Sequence, residues 1–323
     1  MGVGLQGMAR PAARAVSGRA LLWRELTGRR SRVFYAFIAP WVLGFLIYTA
    51  WPMVLSAYYS LTSYKIGLSP TWVGFSNYDY LVRHDLNFSD AVRNSVTYTA
   101  FSVPMGIALS LLLALLLNNQ RVRGLTFWRA LFYMPTVLPA VASSYMFAWM
   151  FSYRYGPVTS ALRFVGANPI NFFTTDYAHW VIILFALWGF GPGMIIFLAG
   201  LQGIPRVLYE AAAIDGAGRL RSFYHITLPG VSPVIFFQFT NGLIGAMQTF
   251  QVAWFLEAYS LPKSRSVFLG TLVYSNAFGG TGIGTAGGMG YASAVAWVIF
   301  AIILVITAMN FWGARFWVHY EQI

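Results

Sequence analysis

The segment GLQGIPRVLYEAAAIDGAGRLRSFYHITLP, residues 200–229, separates two long runs of sequence that contain no charged residue. Its first half carries the signals of a short helix, because Pro205 suits a first helical turn and Glu210 and the alanines after it favour helix. Gly216 can adopt the left-handed conformation that stops a helix. The sequence therefore predicts a helix that begins at Pro205 and ends near Asp215.

A second short helix is predicted after the bend formed by two closely spaced glycines. Leu220, Phe223 and Tyr224 follow at helical spacing and share one face, while the neighbouring arginines point elsewhere. Pro229 ends the element, because proline has no backbone N–H with which to continue a helix. We expect this helix to lie along a membrane surface.

The first of these helices has a surface suited to docking. Ala211, Ala212 and Ala213 have no bulky side chains, so another protein can approach the backbone closely. Glu210 and Asp215 are available to meet basic groups on such a partner. The plainer alternative is a connector whose alanines only favour helix, and composition leaves both interpretations open.

Composition places the rest of the chain in lipid. The 323 residues include only 21 Lys and Arg and 9 Asp and Glu, and 58% are apolar, whereas a soluble domain is about one quarter charged. This excludes an ordinary soluble enzyme. Six runs without a charged residue each exceed the roughly 20 residues that a helix needs to cross the hydrocarbon. They predict six membrane helices with cores near 34–59, 94–117, 130–151, 179–201, 231–255 and 291–313.

The basic residues orient these spans. Fourteen of the 21 Lys and Arg residues fall on the side that carries residues 200–229, and seven fall on the other. Because cytoplasmic loops are enriched in Lys and Arg, both termini are expected in the cytoplasm. The net charge of +12 is then explained by basic residues that orient the spans in the membrane and interact with anionic lipid. Nucleic acid is not expected as a partner, since the basic residues flank spans and form no stripe interleaved with exposed aromatics.

Three segments are predicted along the chain. A basic cytoplasmic segment, 1–32, is followed by a six-span membrane domain, 33–315, that includes the cytoplasmic loop 205–229. A cytoplasmic tail, 316–323, completes it. Glycines crowd residues 279–290, which we interpret as an external loop because such a run disfavours a lipid-exposed helix.

The sequence carries no standard catalytic constellation. A phosphate-binding loop needs Gly-Lys-Ser/Thr, but the two lysines, Lys65 and Lys263, follow tyrosine and proline. Gly282–Gly287 matches the dinucleotide fingerprint by letter but follows no predicted strand. There is no cysteine, the four histidines have no metal-ligand spacing, and the predicted spans hold no paired carboxylates of the kind used by ion-coupled carriers. No catalytic residue, metal or cofactor is therefore assigned to this chain.

The fifth predicted span carries a polar face that suits a solute path. Gln238, Asn241, Gly245 and Gln248 fall at i, i+3, i+7 and i+10, on one side of its helix. This face either lines a path for a hydroxyl-rich solute or packs against a neighbouring helix through glycine contacts and interhelical hydrogen bonds. The pattern fits both interpretations equally.

Weaker candidates lie on the third and fourth spans. Ser143 and Ser144 are polar residues within the third. Trp188 precedes a glycine-rich break at 189–193 in the fourth, where a packing or interfacial aromatic is the simpler interpretation and a sugar-stacking platform the alternative.

The stretch EAAAIDGA at 210–217, followed by Leu228-Pro229, resembles the EAA loop of the membrane-spanning subunits of bacterial binding-protein-dependent ABC importers. Other stretches resemble the carbohydrate-type permeases of the maltose and glycerol-phosphate kind. The likeness spans residues 33–315 and keeps the order of the predicted spans. These other stretches are GFSNY at 74–78, RALFYMPTVLP at 129–139, FLAGLQGIP at 197–205 and GYASA at 290–294.

The resemblance implies a fold and a set of partners. The fold would be all-α and integral to the membrane, the six-helix permease of a type I ABC importer, with the EAA loop as a cytoplasmic coupling helix. Partners would be a second homologous permease, two ATPase subunits that carry ATP and Mg²⁺, an extracytoplasmic solute-binding protein, membrane lipid and a small-molecule solute. Such permeases often show Gly-Gly-Pro after the fifth span, where this chain has YSLP at 259–262, so the outer loop is expected to differ.

The implied function is import of a sugar or sugar-like solute across the bacterial plasma membrane. The match implies that five residues couple the permease to the ATPase: Glu210, Ala211, Ala212, Asp215 and Gly216. Glu210 would serve as a polar anchor, Ala211 and Ala212 would allow close approach, and Gly216, beside Asp215, would form the bend. A permease for another solute, or a secondary carrier, is the alternative.

Overall fold

Most of the described residues are helical. One two-stranded hairpin is the only sheet among the residues that the computed structural model describes, and the all-α expectation is confirmed. Contacts divide the chain into two units, 1–56 and 57–323. The described residues are 29–119, 123–173, 177–257, 267–278 and 288–319. Predictions for residues 1–28, 259–262, 279–287 and 320–323 lie outside them.

Two π-helical segments, Leu46–Ala50 and Phe223–Thr227, interrupt otherwise α-helical stretches, and the hairpin strands are β1 (Thr62–Ser63) and β2 (Thr71–Trp72). The α-helices, in chain order, are α1 (Arg29–Phe45), α2 (Trp51–Ser60), α3 (Ser76–Arg83), α4 (Leu86–Leu117), α5 (Leu125–Val137), α6 (Ala140–Met150), α7 (Pro157–Phe164), α8 (Tyr177–Trp188), α9 (Gly191–Gly203), α10 (Arg206–Ile214), α11 (Arg219–Ser222), α12 (Leu228–Gly230), α13 (Ser232–Met247), α14 (Gln251–Glu257), α15 (Leu269–Phe278) and α16 (Met289–Ala314).

Three helical stretches of the described chain are long and apolar enough to cross a membrane unbroken: Val33–Ser60, Leu86–Leu117 and Met289–Ala314. Three further pairs of helices meet the criterion together, each bent by more than 40° at a short break. Counting each pair as one span gives the six that the charge-free runs predict, by length and composition.

The third predicted span, 130–151, is not one helix. Helices α5 and α6 meet at 95°. Between them Leu138 is extended, with ψ of 138°, as a residue before proline prefers, and Pro139 has no N–H to continue the helical ladder. The helix therefore breaks because of the local preferences of Leu138 and Pro139, whereas the angle of 95° depends on where the two helices pack.

The fourth and fifth predicted spans are also broken. Helices α8 and α9 meet at 45°, at the glycine-rich break that the sequence predicted. The helical stretch Arg219–Gly230 turns by 61° into Ser232–Phe255, because Val231 leaves the helical conformation with φ of −95° and ψ of 3°. A non-helical step at 248–250 then separates α13 from α14.

The sequence interpretation missed helix α15. It lies in the long charge-free run before the sixth span, and its ten residues cover about 15 Å, half of the roughly 30 Å of hydrocarbon. Leu269, Leu272 and Asn276 are buried in protein. The Asn276 side chain donates to the Leu272 carbonyl at 2.8 Å, so its amide N–H is satisfied within the helix.

The GFSNY stretch fastens the hairpin to the end of α2. The Asn77 side-chain amide donates to the backbone carbonyls of Ser60 at 2.8 Å and Thr62 at 2.9 Å. The Tyr78 hydroxyl donates to the Ser60 hydroxyl at 2.8 Å. The start of α16 reaches the same place, since the Gly290 N–H donates to the carbonyl of Tyr64 at 3.1 Å.

Gly290→Ala is expected to destabilise the protein by about 3 kcal/mol. A Cβ at this position would overlap the Thr62 carbonyl oxygen, and backbone cannot swing aside as a flexible side chain can. Thermal unfolding of the purified protein in detergent measures the loss. Gly313→Ala in the same helix is the matched control, because nothing lies within 4 Å of an added Cβ there. Equal melting temperatures for the two variants would contradict the close approach at Gly290.

Candidate functional site

The EAA-like segment forms helix α10 and ends at a glycine stop. The Ala217 N–H donates to the Ala212 carbonyl at 2.8 Å, and the Gly216 N–H donates to the Ala213 carbonyl at 3.1 Å. Gly216 is left-handed, with φ of 75°. These bonds and this φ define a Schellman motif, so the helix ends where the sequence predicted. Pro205 is the N-cap residue, with φ of −60° and ψ of 129°, so the helix begins at Arg206, one residue later than predicted.

The five residues assigned to coupling lie together on this elbow. Glu210, Ala211, Asp215 and Gly216 are exposed, and Ala212 is half-buried. No heavy atom lies within 4 Å of a Cβ built on Gly216. The surface over these residues is therefore open to a partner.

An apolar strip runs along the exposed side of α10. Val207 is 70% exposed and Ile214 is 87% exposed, and with Ala211 they lie at i, i+4 and i+7, on one helical face. Contiguous exposed apolar surface of this kind marks interaction sites. The strip adds Val207 and Ile214 to the candidate docking surface that the sequence analysis limited to the alanines and two acidic residues.

The elbow is fastened to the helical stretch that follows it. The Tyr209 hydroxyl and the Thr227 hydroxyl are 2.9 Å apart and share a hydrogen bond. In that stretch Leu220 is 74% exposed and Tyr224 is 59% exposed, as expected of a helix lying along a membrane surface. This hydrogen bond links α10 directly to residues 219–230.

A cavity of about 330 Å³ lies between α4, α9 and α13. Part of its lining consists of glycines, including Gly193, Gly242 and Gly245, which leave the space open. The polar lining consists of hydroxyl and amide groups and carries no formal charge among the described residues: Tyr98, Ser102, Ser110, Gln238 and Thr249.

The polar side chains of the cavity come from α4, from α13 and from the step after α13, and two of them meet beside Gly193 of α9. A Cβ added to Gly193 would lie 2.6 Å from the Ser110 hydroxyl and 2.9 Å from the Gln238 amide nitrogen. The Ser110 hydroxyl also donates to the Phe190 carbonyl at 3.2 Å. A hydroxyl-rich solute can exchange hydrogen bonds with such groups, whereas a charged solute finds no counter-charge in this lining.

The structure brings only some of the predicted path residues to this cavity. Gln238 and Gly245 line it. Asn241 and Gln248 are exposed outside its lining, and the Asn241 amide donates back to the Phe237 carbonyl at 2.9 Å.

The weaker candidates also lie away from the cavity lining. Trp188 packs its ring 5.4 Å from that of Phe147 and 6.2 Å from that of Phe185, as the packing interpretation has it. Ser143 and Ser144 are buried within α6.

Sequence reasoning missed the contribution of α4. Ser102, Gly106 and Ser110 lie at i, i+4 and i+8 and line the cavity. Applied to the second span, the criterion used for the fifth span would have found this stripe of small and polar residues.

A helical membrane domain around an uncharged polar cavity, with an exposed elbow at one face, defines a membrane transport protein. Residues 106–316 match the family described as “Binding-protein-dependent transport system inner membrane component”. The chain belongs to this family and is a multi-pass inner membrane protein. The resemblance to these permeases is confirmed, and the chain is a component of a membrane transport system.

Similar proteins cover nearly the whole chain. The “Probable ABC transporter permease protein YesP” of Bacillus subtilis is 37% identical over 89% of this chain and 92% of its own length. The “Arabinooligosaccharides transport system permease protein AraP” of the same organism is 29% identical over 93% of each. A bacterial ABC transporter involved in import of the acidic polysaccharide alginate has a solved structure that matches with a TM-score of 0.78. It covers 91% of this chain and 98% of that one at 24% identity, which shows a common fold.

Proposed function

We propose that this chain is the transmembrane permease subunit of an ATP-driven, binding-protein-dependent importer for a sugar or a sugar-like solute. It works through alternating access, in which separate ATPase subunits move the elbow at α10 and thereby rearrange the helices around the cavity. Such a change needs an element with two discrete positions that a partner can bias.

One observation carries this proposal: both ends of the elbow continue into helices that line the cavity. Upstream, α9 begins at Gly191 and contributes Gly193 to the cavity wall. Downstream, residues 219–230 lead into α13, which contributes Gln238 and Gly245. Helix α9 is about 20 Å long and α13 about 24 Å, so a displacement at the membrane face is carried through rigid elements to the cavity.

Sugar as the solute is supported by the chemistry of the cavity and by the relatives. The described lining offers hydroxyls and an amide without a charge, which suits a neutral polyhydroxylated molecule. AraP is named for arabinooligosaccharides. The sugar would be identified from the molecule that the cognate binding protein holds.

The partners follow from the same proposal. Two ATPase subunits bind ATP and Mg²⁺ and receive the apolar strip and Glu210 of the elbow. A second homologous permease completes the membrane unit, and a solute-binding protein delivers the sugar from outside. Both termini and the elbow lie in the cytoplasm, as the distribution of Lys and Arg supports.

Reconstitution tests the proposal. The chain, its companion permease, ATPases and binding protein are placed in proteoliposomes, and uptake of labelled sugars is measured with internal ATP or with an imposed ion gradient. Uptake is expected to require ATP and the binding protein together. Uptake driven by an ion gradient without nucleotide would instead identify a secondary carrier, and ATP-dependent uptake of amino acids alone would overturn the sugar assignment.

A further inference from the structure

A second cavity, of about 760 Å³, lies where the elbow meets the membrane domain. We call it the basic pocket. It is formed by the end of α4, the start of α5, the end of α9 and the first residues of α10. Its polar lining consists of Asn118, Asn119, Arg129, Gln202, Arg206 and Tyr209.

The charge of the basic pocket is unbalanced. Two guanidinium groups, Arg129 and Arg206, line it and no carboxylate does. Within the part of the chain that the structure describes, the ion pair between Asp79 and Arg83 is the only salt bridge, so neither lining arginine is neutralised there. The site therefore favours an anion.

Arg129 supplies a second, independent sign of a ligand. Its Nε atom is buried and has no hydrogen-bond partner among the described residues. Buried donors are nearly always paired in folded proteins, and an unpaired donor on a charged group is especially unfavourable. A phosphate oxygen in the pocket would satisfy this N–H, and a guanidinium matches phosphate geometry with two parallel donors.

The surroundings of the pocket point to a lipid as the source of that phosphate. The pocket lies at one membrane face, between the ends of membrane helices, and beside it α5 turns apolar side chains outward. Phe127 is 64% exposed, Trp128 40% and Leu131 41%. Aromatic and aliphatic side chains next to basic residues at a membrane surface are the arrangement that receives acyl chains beside an anionic headgroup.

We propose that the basic pocket binds the phosphate group of an anionic phospholipid. Arg129 and Arg206 donate to the phosphate oxygens, and the acyl chains lie along the exposed face of α5. Because Arg206 and Tyr209 belong to α10 whereas Arg129 belongs to α5, the bound lipid joins the elbow to the membrane domain. The site stands on charge and geometry and does not depend on which solute is carried.

Competition between lipids tests this site. The full-length chain, with its companion subunits, is reconstituted in nanodiscs containing equal parts of phosphatidylglycerol and phosphatidylcholine. Retained lipid is then measured by native mass spectrometry after detergent extraction. Phosphatidylglycerol is expected to be retained preferentially. Arg129→Gln should lower this retention by about tenfold, since one charge-assisted contact is lost. Arg129→Lys should retain an amount of phosphatidylglycerol between those of the unaltered protein and Arg129→Gln, because lysine keeps the charge but not the paired donors.

Arg219→Gln is the matched control, because Arg219 is exposed near the same elbow but does not line the pocket. It should retain as much phosphatidylglycerol as the unaltered protein. If Arg129→Gln fails to fold, the proposal is still tested by Arg206→Gln, which should also retain less phosphatidylglycerol, and by the lipid preference of the unaltered protein. Equal retention of the two lipids by the unaltered protein would overturn the proposal. Displacement of phosphatidylglycerol by millimolar inorganic phosphate would identify free phosphate as the ligand and overturn the lipid assignment.

Discussion

Ala211→Arg is expected to lower ATP-dependent uptake by about 100-fold while membrane insertion stays intact. Ala211 is exposed and shares the apolar strip with Val207 and Ile214. An arginine there would press an unpaired charge into the proposed interface with the ATPase, at a cost of about 3 kcal/mol, which corresponds to about 100-fold in affinity. The fold should tolerate the change because the side chain points away from the protein.

Uptake into proteoliposomes measures this effect, with the amount of inserted protein and of bound ATPase measured in parallel. Ala161→Arg is the control, since it adds the same charge at a residue that is exposed on α7, a helix outside the elbow. The control should keep uptake within about twofold of the unaltered protein, as surface changes usually do. Normal uptake and normal ATPase binding by Ala211→Arg would remove this face of the elbow from the mechanism.

Gly245→Trp is expected to block uptake by filling the membrane cavity. Gly245 lines the cavity, and no heavy atom lies within 4 Å of a Cβ built on it. The indole therefore enters open space instead of displacing neighbours, and the protein should fold. A solute could then enter only by crowding against the indole. The cost of this overpacking should lower uptake by about tenfold or more.

Gly313→Trp provides the comparison for this blockage. It places the same side chain on another membrane helix, α16, where a Cβ likewise has no neighbour within 4 Å, but Gly313 does not line the cavity. Uptake by Gly313→Trp should be close to normal, and both variants should melt near the temperature of the unaltered protein. If Gly245→Trp carries solute as well as Gly313→Trp does, the cavity is not the path.

Two of the four residues predicted on the fifth span, Gln238 and Gly245, line the cavity, and the rest of the lining depended on which way each helix turns. The fifth span was expected to present positions at i, i+3, i+7 and i+10, but the residues of α13 that line the cavity include Gln238, Gly242 and Gly245, at i, i+4 and i+7. Both sets satisfy the helical period, and only packing chooses between them. Gln248 lies beyond the end of α13, with φ of −96° and ψ of 10°, where helical spacing no longer predicts direction.

The elbow was predicted almost completely because its signals are local. A left-handed glycine at 216 and the alanines before it determine a helix end through backbone conformation alone. The apolar strip at Val207 and Ile214 was not recognised, since exposure of apolar residues is visible only once their neighbours are placed. The basic pocket was likewise invisible, because Arg129 and Arg206 lie far apart in the chain and meet through the arrangement of four helices.

Sequence alone determined that the chain lies in lipid, how many times it is able to cross, and where its elbow begins and ends. Charges are excluded from hydrocarbon one residue at a time and helix caps act over a single turn, so both leave local traces. The tertiary structure decided the bends, the missed helix α15 and the lining of both cavities. These depend on contacts between residues distant in sequence: α6, for example, packs against α14 and α5 against α9, and no periodicity within one helix specifies its neighbour.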